Sequence, residues 1–164
     1  SEFGIRSMSK VYEENPYQLE IEGINHVVHY TPAESDSRMF GGNSNWRGPI
    51  WFPINFLIVE SLQRFHFYYD NSIQVEFPTG SKNYKNLNEI AENLSRRLSN
   101  IFLKNEEGKR AFNGNIDKFN YDENFKNYIM FYEYFHGDNG RGVGASHQTG
   151  WTSTVAKLIN PKMK

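Results

Sequence analysis

All seven apolar residues between Leu87 and Phe102 fall on one helical face. Leu87, Ile90, Ala91, Leu94, Leu98, Ile101 and Phe102 recur at steps of three, one and four, the 3.6-residue period of an amphipathic helix. Asn88, Glu89, Glu92, Arg96 and Arg97 take much of the opposite face, and Asn86 or Asn88 is placed to cap the start. A stripe this wide has to be covered by other packed elements.

Two further segments read as helices. One begins near Pro49 to Phe52, where proline fits the first turn, and runs to about Tyr69. Ile50, Ile54, Leu57, Ile58, Leu62 and Phe65 form its apolar face, and Asp70, Asn71 and Ser72 end it. The other covers 151–159, with Trp151, Val155, Leu158 and Ile159 on one side. Residues 11–39 alternate weakly between turn formers, with a short helix or strand near 24–30. Gln74 to Gly80 reads as a loop around Pro78, and 104–122 as turns or a small hairpin. The aromatic run 128–135 is too short for periodicity to choose between strand and helix. Glycines at 41 and 42 mark residues 36–46 as a loop. The expected fold is all-α, with long glycine-rich connections and at most a short hairpin. Connections this long suit a larger helical scaffold whose loops carry function.

A length of 164 residues fits one domain, and no linker divides it. Residues 1–7 resemble vector-derived sequence ahead of Met8 and are set aside from fold reasoning, leaving 8–164. The net charge of −1 makes the chain a poor electrostatic partner for nucleic acid, and no apolar run reaches the roughly 20 residues of a membrane span. The chain has no cysteine, which excludes disulfides and is compatible with the cytosol.

Two clusters carry the chemistry. The first is 41–55, where Asn43, Asn45 and Arg47 offer donors and Trp46 and Trp51 offer apolar platforms. A sugar ring needs both, because it has polar rims and C–H faces. Asn55, one turn into the first helix, is expected to turn inward toward this loop. The second cluster is 131–151. Glu133 lies among Phe131, Tyr132, Tyr134 and Phe135, followed by His136, a four-glycine loop, His147 and Trp151. Aromatic neighbours can desolvate a carboxylate and fix its geometry, and a carboxylate held near a water can take its proton. A surface glutamate on an aromatic edge, and a Trp51 that is simply core, are the plainer readings. The glycine loop lacks the Gly-Lys-Ser/Thr ending and the Gly-x-Gly-x-x-Gly spacing of nucleotide loops. It also places Gly142 where a calcium loop needs an acid or amide. His26 and His29 lack two further ligands at sensible spacing, so no cofactor or metal is expected.

Glu34-Ser35 with MFGGNSNWRGPIW over 39–51, and EYFHGDNGRGVGASHQTGW over 133–151, resemble two signatures of glycoside hydrolase family 63, a family of processing α-glucosidases and their relatives. The resemblance spans roughly His26 to Ile159. It implies an (α/α)6 toroid and an inverting α-glycosidase. Inversion needs an acid on the leaving oxygen and a base on the water, with the carboxyl groups about 6.5–9.5 Å apart.

In that pattern Glu133 matches the general base. Trp46, Arg47, Trp51, Asn55, His147 and Trp151 would build or support the site for an α-linked glucoside. The family's acid is an aspartate in a motif upstream of the first signature. Asp36, Asp70, Asp117, Asp122 and Asp138 do not stand in such a motif. The chain therefore resembles the carboxy-terminal portion of a catalytic domain, carrying the base without the acid and inactive alone. Its uncovered apolar faces would meet the remainder of the parent domain or a second copy. Two other readings are a carbohydrate-binding or assembly module on the same scaffold and a helical interaction domain with no ligand.

Overall fold

The computed structural model describes residues 1–36 and 44–160. The first pair of strands, β1 (Tyr17–Ile21) and β2 (Ile24–Val28), forms an antiparallel hairpin with Tyr17 opposite Val28. Its two-residue turn places Glu22 at φ 50° and Gly23 at φ 76°, the left-handed pair that matches the twist of a tight hairpin. Next comes α1 (Phe52–Tyr69), with Pro53 in its first turn. Asp70, at φ 47°, stops it and returns its N–H to the His66 carbonyl.

A second hairpin pairs β3 (Gln74–Glu76) with β4 (Tyr84–Asn86), and β4 runs directly into α2 (Leu87–Asn100). Asn86 ends the strand and caps the helix. Its Oδ1 accepts the Glu89 N–H at 2.9 Å, and Glu89 Oε2 accepts the Asn86 N–H at 2.8 Å. This reciprocal box satisfies two donors that the first turn would otherwise leave open. Beyond α2 the chain makes a tight bridge between Lys104 and Arg110, then a 3-10 turn at Ala111–Asn113 and α3 (Asp117–Tyr121). A third hairpin, β5 (Tyr134–Phe135) with β6 (Gly142–Val143), precedes α4 (Thr149–Thr152) and α5 (Val155–Ile159).

The core lies between α1 and α2 and is closed by α5. Phe52 and Val59 meet Ile90, Ala91, Leu94 and Leu98, and Ile101, Phe102, Phe112, Phe135 and Val155 complete the cluster. Each side chain of this size taken fully out of water contributes about 1.5–3 kcal/mol.

Several expectations need correcting. The chain is not all-α, because three two-stranded antiparallel sheets accompany the helices. The strands β1 and β2 form a hairpin exposed on nearly every residue; Tyr17, Leu19 and Ile21 alternate with Gln18 and Glu20, a pattern too short to fix a strand. The loop expected at Gln74 to Gly80 begins as β3. The final helix is two short ones, broken by a turn at Ser153 and Thr154. The loop expected over 36–46, including Gly41, Gly42 and Asn43, lies largely outside the described residues.

The extent of α1 matches its pattern and the face does so in part, since Ile50 is in the core and Ile58 and Leu62 pack against it. Phe52, Asn55 and Val59 are buried, whereas Ile54, Leu57 and Phe65 are exposed, and Phe67 and Tyr68 more so. The helix is apolar nearly all round, a condition of helices enclosed on every side, so periodicity alone could not choose the face that packs here.

Residues 1–7, set aside in the sequence reading, take part in the packing. The Asn55 side chain clamps Ile5, accepting its N–H at 2.8 Å and donating to its carbonyl at 3.0 Å. Phe3 packs against the core, and Arg6 pairs with Asp138 at 2.8 Å.

Candidate active site

Three chain segments meet backbone to backbone beneath the site. Thr31 N–H donates to the Arg47 carbonyl at 2.7 Å, and Ile50 and Phe135 exchange both hydrogen bonds at 2.8 and 2.9 Å. Gly137 N–H donates to the Pro32 carbonyl at 2.8 Å. The approach leaves no room for side chains at two positions. A Cβ on Gly137 would collide with the Tyr30 hydroxyl, and one on Gly48 with the Thr31 carbonyl.

Asp138 ties the same region together. Its Oδ1 accepts from Arg6 at 2.8 Å and from the Tyr30 hydroxyl at 3.0 Å, and its Oδ2 accepts from Lys10 at 3.1 Å. Burial alone would raise the Asp138 pKa, but the hydrogen bonds from Lys10, Tyr30 and Arg6 outweigh it and hold it below the ordinary 3.8. A folded-state pKa depressed in this way gives a stabilisation that is complete above 3.8 and lost as the pH falls through the lower folded value. Resistance to urea should therefore drop below about pH 3.8, and Asp138→Asn should flatten part of that drop.

On this base stands an aromatic stack. Trp51 is 4% exposed. Its ring lies between Trp46, at 4.2 Å and 5° between planes, and Tyr134, at 4.7 Å and 22°. Trp151 leans on it at 5.7 Å and 52°. The Trp51 indole N–H donates to the Asn45 carbonyl at 3.2 Å. Trp46 and Trp151 are 43% and 42% exposed, so the buried ring presents two open indoles to solvent. The position of Trp151 follows from α4, whose buried Thr152 hydroxyl donates to the Tyr132 carbonyl at 2.7 Å.

Glu133 sits beside the stack. Its N–H donates to the Ala145 carbonyl at 2.9 Å, and its Oε2 accepts the Ala145 N–H at 3.1 Å. A Cβ on Gly144 would meet both the Tyr134 ring, at 2.6 Å, and Glu133 Oε2, at 2.7 Å. This glycine therefore lets the carboxylate and the ring edge share one spot. Oε2 is fixed by a backbone amide, while Oε1 takes no hydrogen bond from the described residues. One oxygen sets the orientation and the other is open to a water.

Burial raises the Tyr134 phenol pKa, and the Glu133 and Glu34 carboxylates add to the rise against a hydrogen bond with Asn45. Tyr134 thus stays a neutral phenol. Burial also lowers the His136 pKa. Its Nδ1 accepts the Asp138 N–H at 3.1 Å, which leaves the proton of the neutral ring on Nε2.

The sequence-derived residues separate into two groups. Trp46, Trp51 and Trp151 come together, and Glu133 adjoins them through Tyr134. Trp51 is both core and platform. Arg47 and Asn55 are buried. Arg47 pairs with Asp36 at 2.8 Å, and Asp36 also meets His29 at 2.8 Å. Asn55 spends its amide on Ile5 and on the Trp51 carbonyl. It is turned inward as expected, with residues 4–5 as a further partner. His147 is exposed and lies against Phe131 at 5.7 Å between centroids. Sequence reasoning missed Tyr30, Asp138 and Arg6 as supports. The signal available was Gly137, a glycine between two polar residues that nothing local requires.

The model of the glycosyl hydrolase family 63 C-terminal domain matches residues 34–109. An uncharacterized protein of Saccharomyces cerevisiae is 54% identical over 162 residues, which is 98% of this chain and 15% of that protein. That match leaves fewer residues uncovered than the seven of the terminal segment, so it reaches into 1–7. The mannosyl-oligosaccharide glucosidase of Saccharomyces cerevisiae is 30% identical over 121 residues, 73% of this chain and 11% of that protein. The chain thus spans a small fraction of the length of these relatives.

Proposed function

The chain belongs to glycosyl hydrolase family 63, and from that premise we propose that it is the carboxy-terminal part of an inverting α-glycosidase, with Glu133 as the base that activates water. The observation that carries the proposal is the Glu133 carboxylate, anchored through Oε2 and open at Oε1, beside a stack with two exposed indoles. The relative named mannosyl-oligosaccharide glucosidase supports a glucose-bearing substrate. Trp46 and Trp151 would meet the C–H faces of the sugar. Tyr134 would hold the stack and shield one side of the carboxylate. Arg47 and Asn55 would act through position, the first by fixing Asp36 and the second by fixing the start of α1 against residues 4–5.

In the proposed reaction Glu133 Oε1 takes a proton from water as the water oxygen attacks the anomeric carbon. The leaving oxygen is protonated by an acid from another part of the parent polypeptide, so this chain alone does not cleave glycosides. The remaining helices of an (α/α)6 toroid would cover the outward face of α1, where Ile54, Leu57 and Phe65 are exposed.

The stereochemical outcome tests the reading. Proton magnetic resonance of the parent polypeptide acting on an α-glucoside should show β-glucose as the first product. α-Glucose appearing first would mean retention and would remove the base role from Glu133.

A further inference from the structure

A second site lies away from the aromatic stack. A cleft of about 1190 Å³ opens between the end of α2, the bridge at 104 and 110, and the loop at 139–141. Four cations line it, Lys104, Lys109, Arg110 and Arg141, with two carboxylates, Glu106 and Glu107. Two are neutralised, Lys109 by Glu107 at 2.9 Å and Arg141 by Glu34 at 3.4 Å. No carboxylate of the described residues pairs with Lys104 or Arg110.

Those two residues are partners across an antiparallel bridge, which directs their side chains to the same side of the ladder. Like charges directly opposite each other are destabilising. The bridge is nevertheless held firmly. Asn105 N–H donates to the Lys109 carbonyl at 2.8 Å, and Asn105 Oδ1 accepts the N–H groups of Glu107 and Lys109. Arg110 also donates from one terminal nitrogen to the Phe102 carbonyl, while its Nε is buried with no partner. A buried donor left open is costly, and burial acts against the charge of this guanidinium. The Lys104 ammonium and the guanidinium of Arg110 thus stand on one side of the bridge, lining the cleft, with no carboxylate of the described residues paired to either.

The geometry points to an anion-binding site at Lys104 and Arg110 that takes the phosphate group of a small ligand. A phosphate oxygen can accept from the Arg110 fork while the Lys104 ammonium neutralises its charge. The inference does not depend on the glycosidase reading.

Calorimetric titration of the chain with sodium phosphate, at ionic strength held constant with chloride, tests it. One saturable site is expected. Lys104→Gln should weaken it about tenfold, the factor that one charge-assisted hydrogen bond supplies, and Arg110→Gln should abolish it. Lys104 is exposed, so its variant keeps the test decisive if Arg110→Gln does not fold. A parallel titration with glucose 6-phosphate separates the sources: tighter binding than inorganic phosphate identifies a phosphorylated sugar, and equal binding identifies the free anion. Absence of saturable heat, or phosphate binding unchanged by Lys104→Gln, overturns the inference.

Discussion

Glu133→Gln in the parent polypeptide should lower kcat for an α-glucoside by about 10²–10⁴-fold, the contribution typical of a positioned general base. The binding of substrate should change little. Glutamine keeps the shape and one carbonyl oxygen, so the Ala145 N–H that now meets Glu133 Oε2 still has an acceptor. What it loses is the capacity to take a proton from water. Steady-state rates of glucose release separate the two effects, because a loss confined to kcat marks an interaction made in the transition state. A variant with unchanged kcat would assign Glu133 to the framework of the loop.

Trp51→Ala should cost about 3–5 kcal/mol of stability, as truncation of a buried tryptophan does. The ring is 4% exposed and touches Trp46, Tyr134 and Trp151, so its removal opens a cavity that three aromatic side chains border. The Asn45 carbonyl also loses its indole donor. Urea unfolding reads the loss as a fall in midpoint. Trp46→Ala should cost much less, because that ring is nearly half exposed, yet it should impair sugar binding. Opposite rankings of the two variants in stability and in binding would separate a supporting ring from a contacting one.

The stripe on α2 was legible because one face is apolar and the other charged; of the two caps the sequence offered, Asn86 and Asn88, the structure uses Asn86. The length of α1 was legible and its packed face only in part: Ile50, Ile58 and Leu62 pack on the core, while Ile54, Leu57 and Phe65 do not. In β1 Tyr17, Leu19 and Ile21 alternate with polar residues, but the hairpin buries neither face, so a pattern this short had no packing to agree with. In the site, residue type announced the tryptophans and Glu133. It could not announce partners: a terminal nitrogen of Arg47 meets Asp36, and the Asn55 amide donates to the carbonyls of Ile5 and Trp51. Tyr30 and Asp138 stand 108 residues apart, so only the fold reveals their hydrogen bond.

The central claim is that this chain holds a sugar platform and a base while its acid lies elsewhere. Incubation of the chain with an α-linked glucose disaccharide, following tryptophan fluorescence and released glucose together, tests it most directly. The expected result is a saturable fluorescence change, diminished in Trp46→Ala, with no glucose released. Glucose release that disappears in Glu133→Gln would place both catalytic carboxyl groups on this chain and contradict the account.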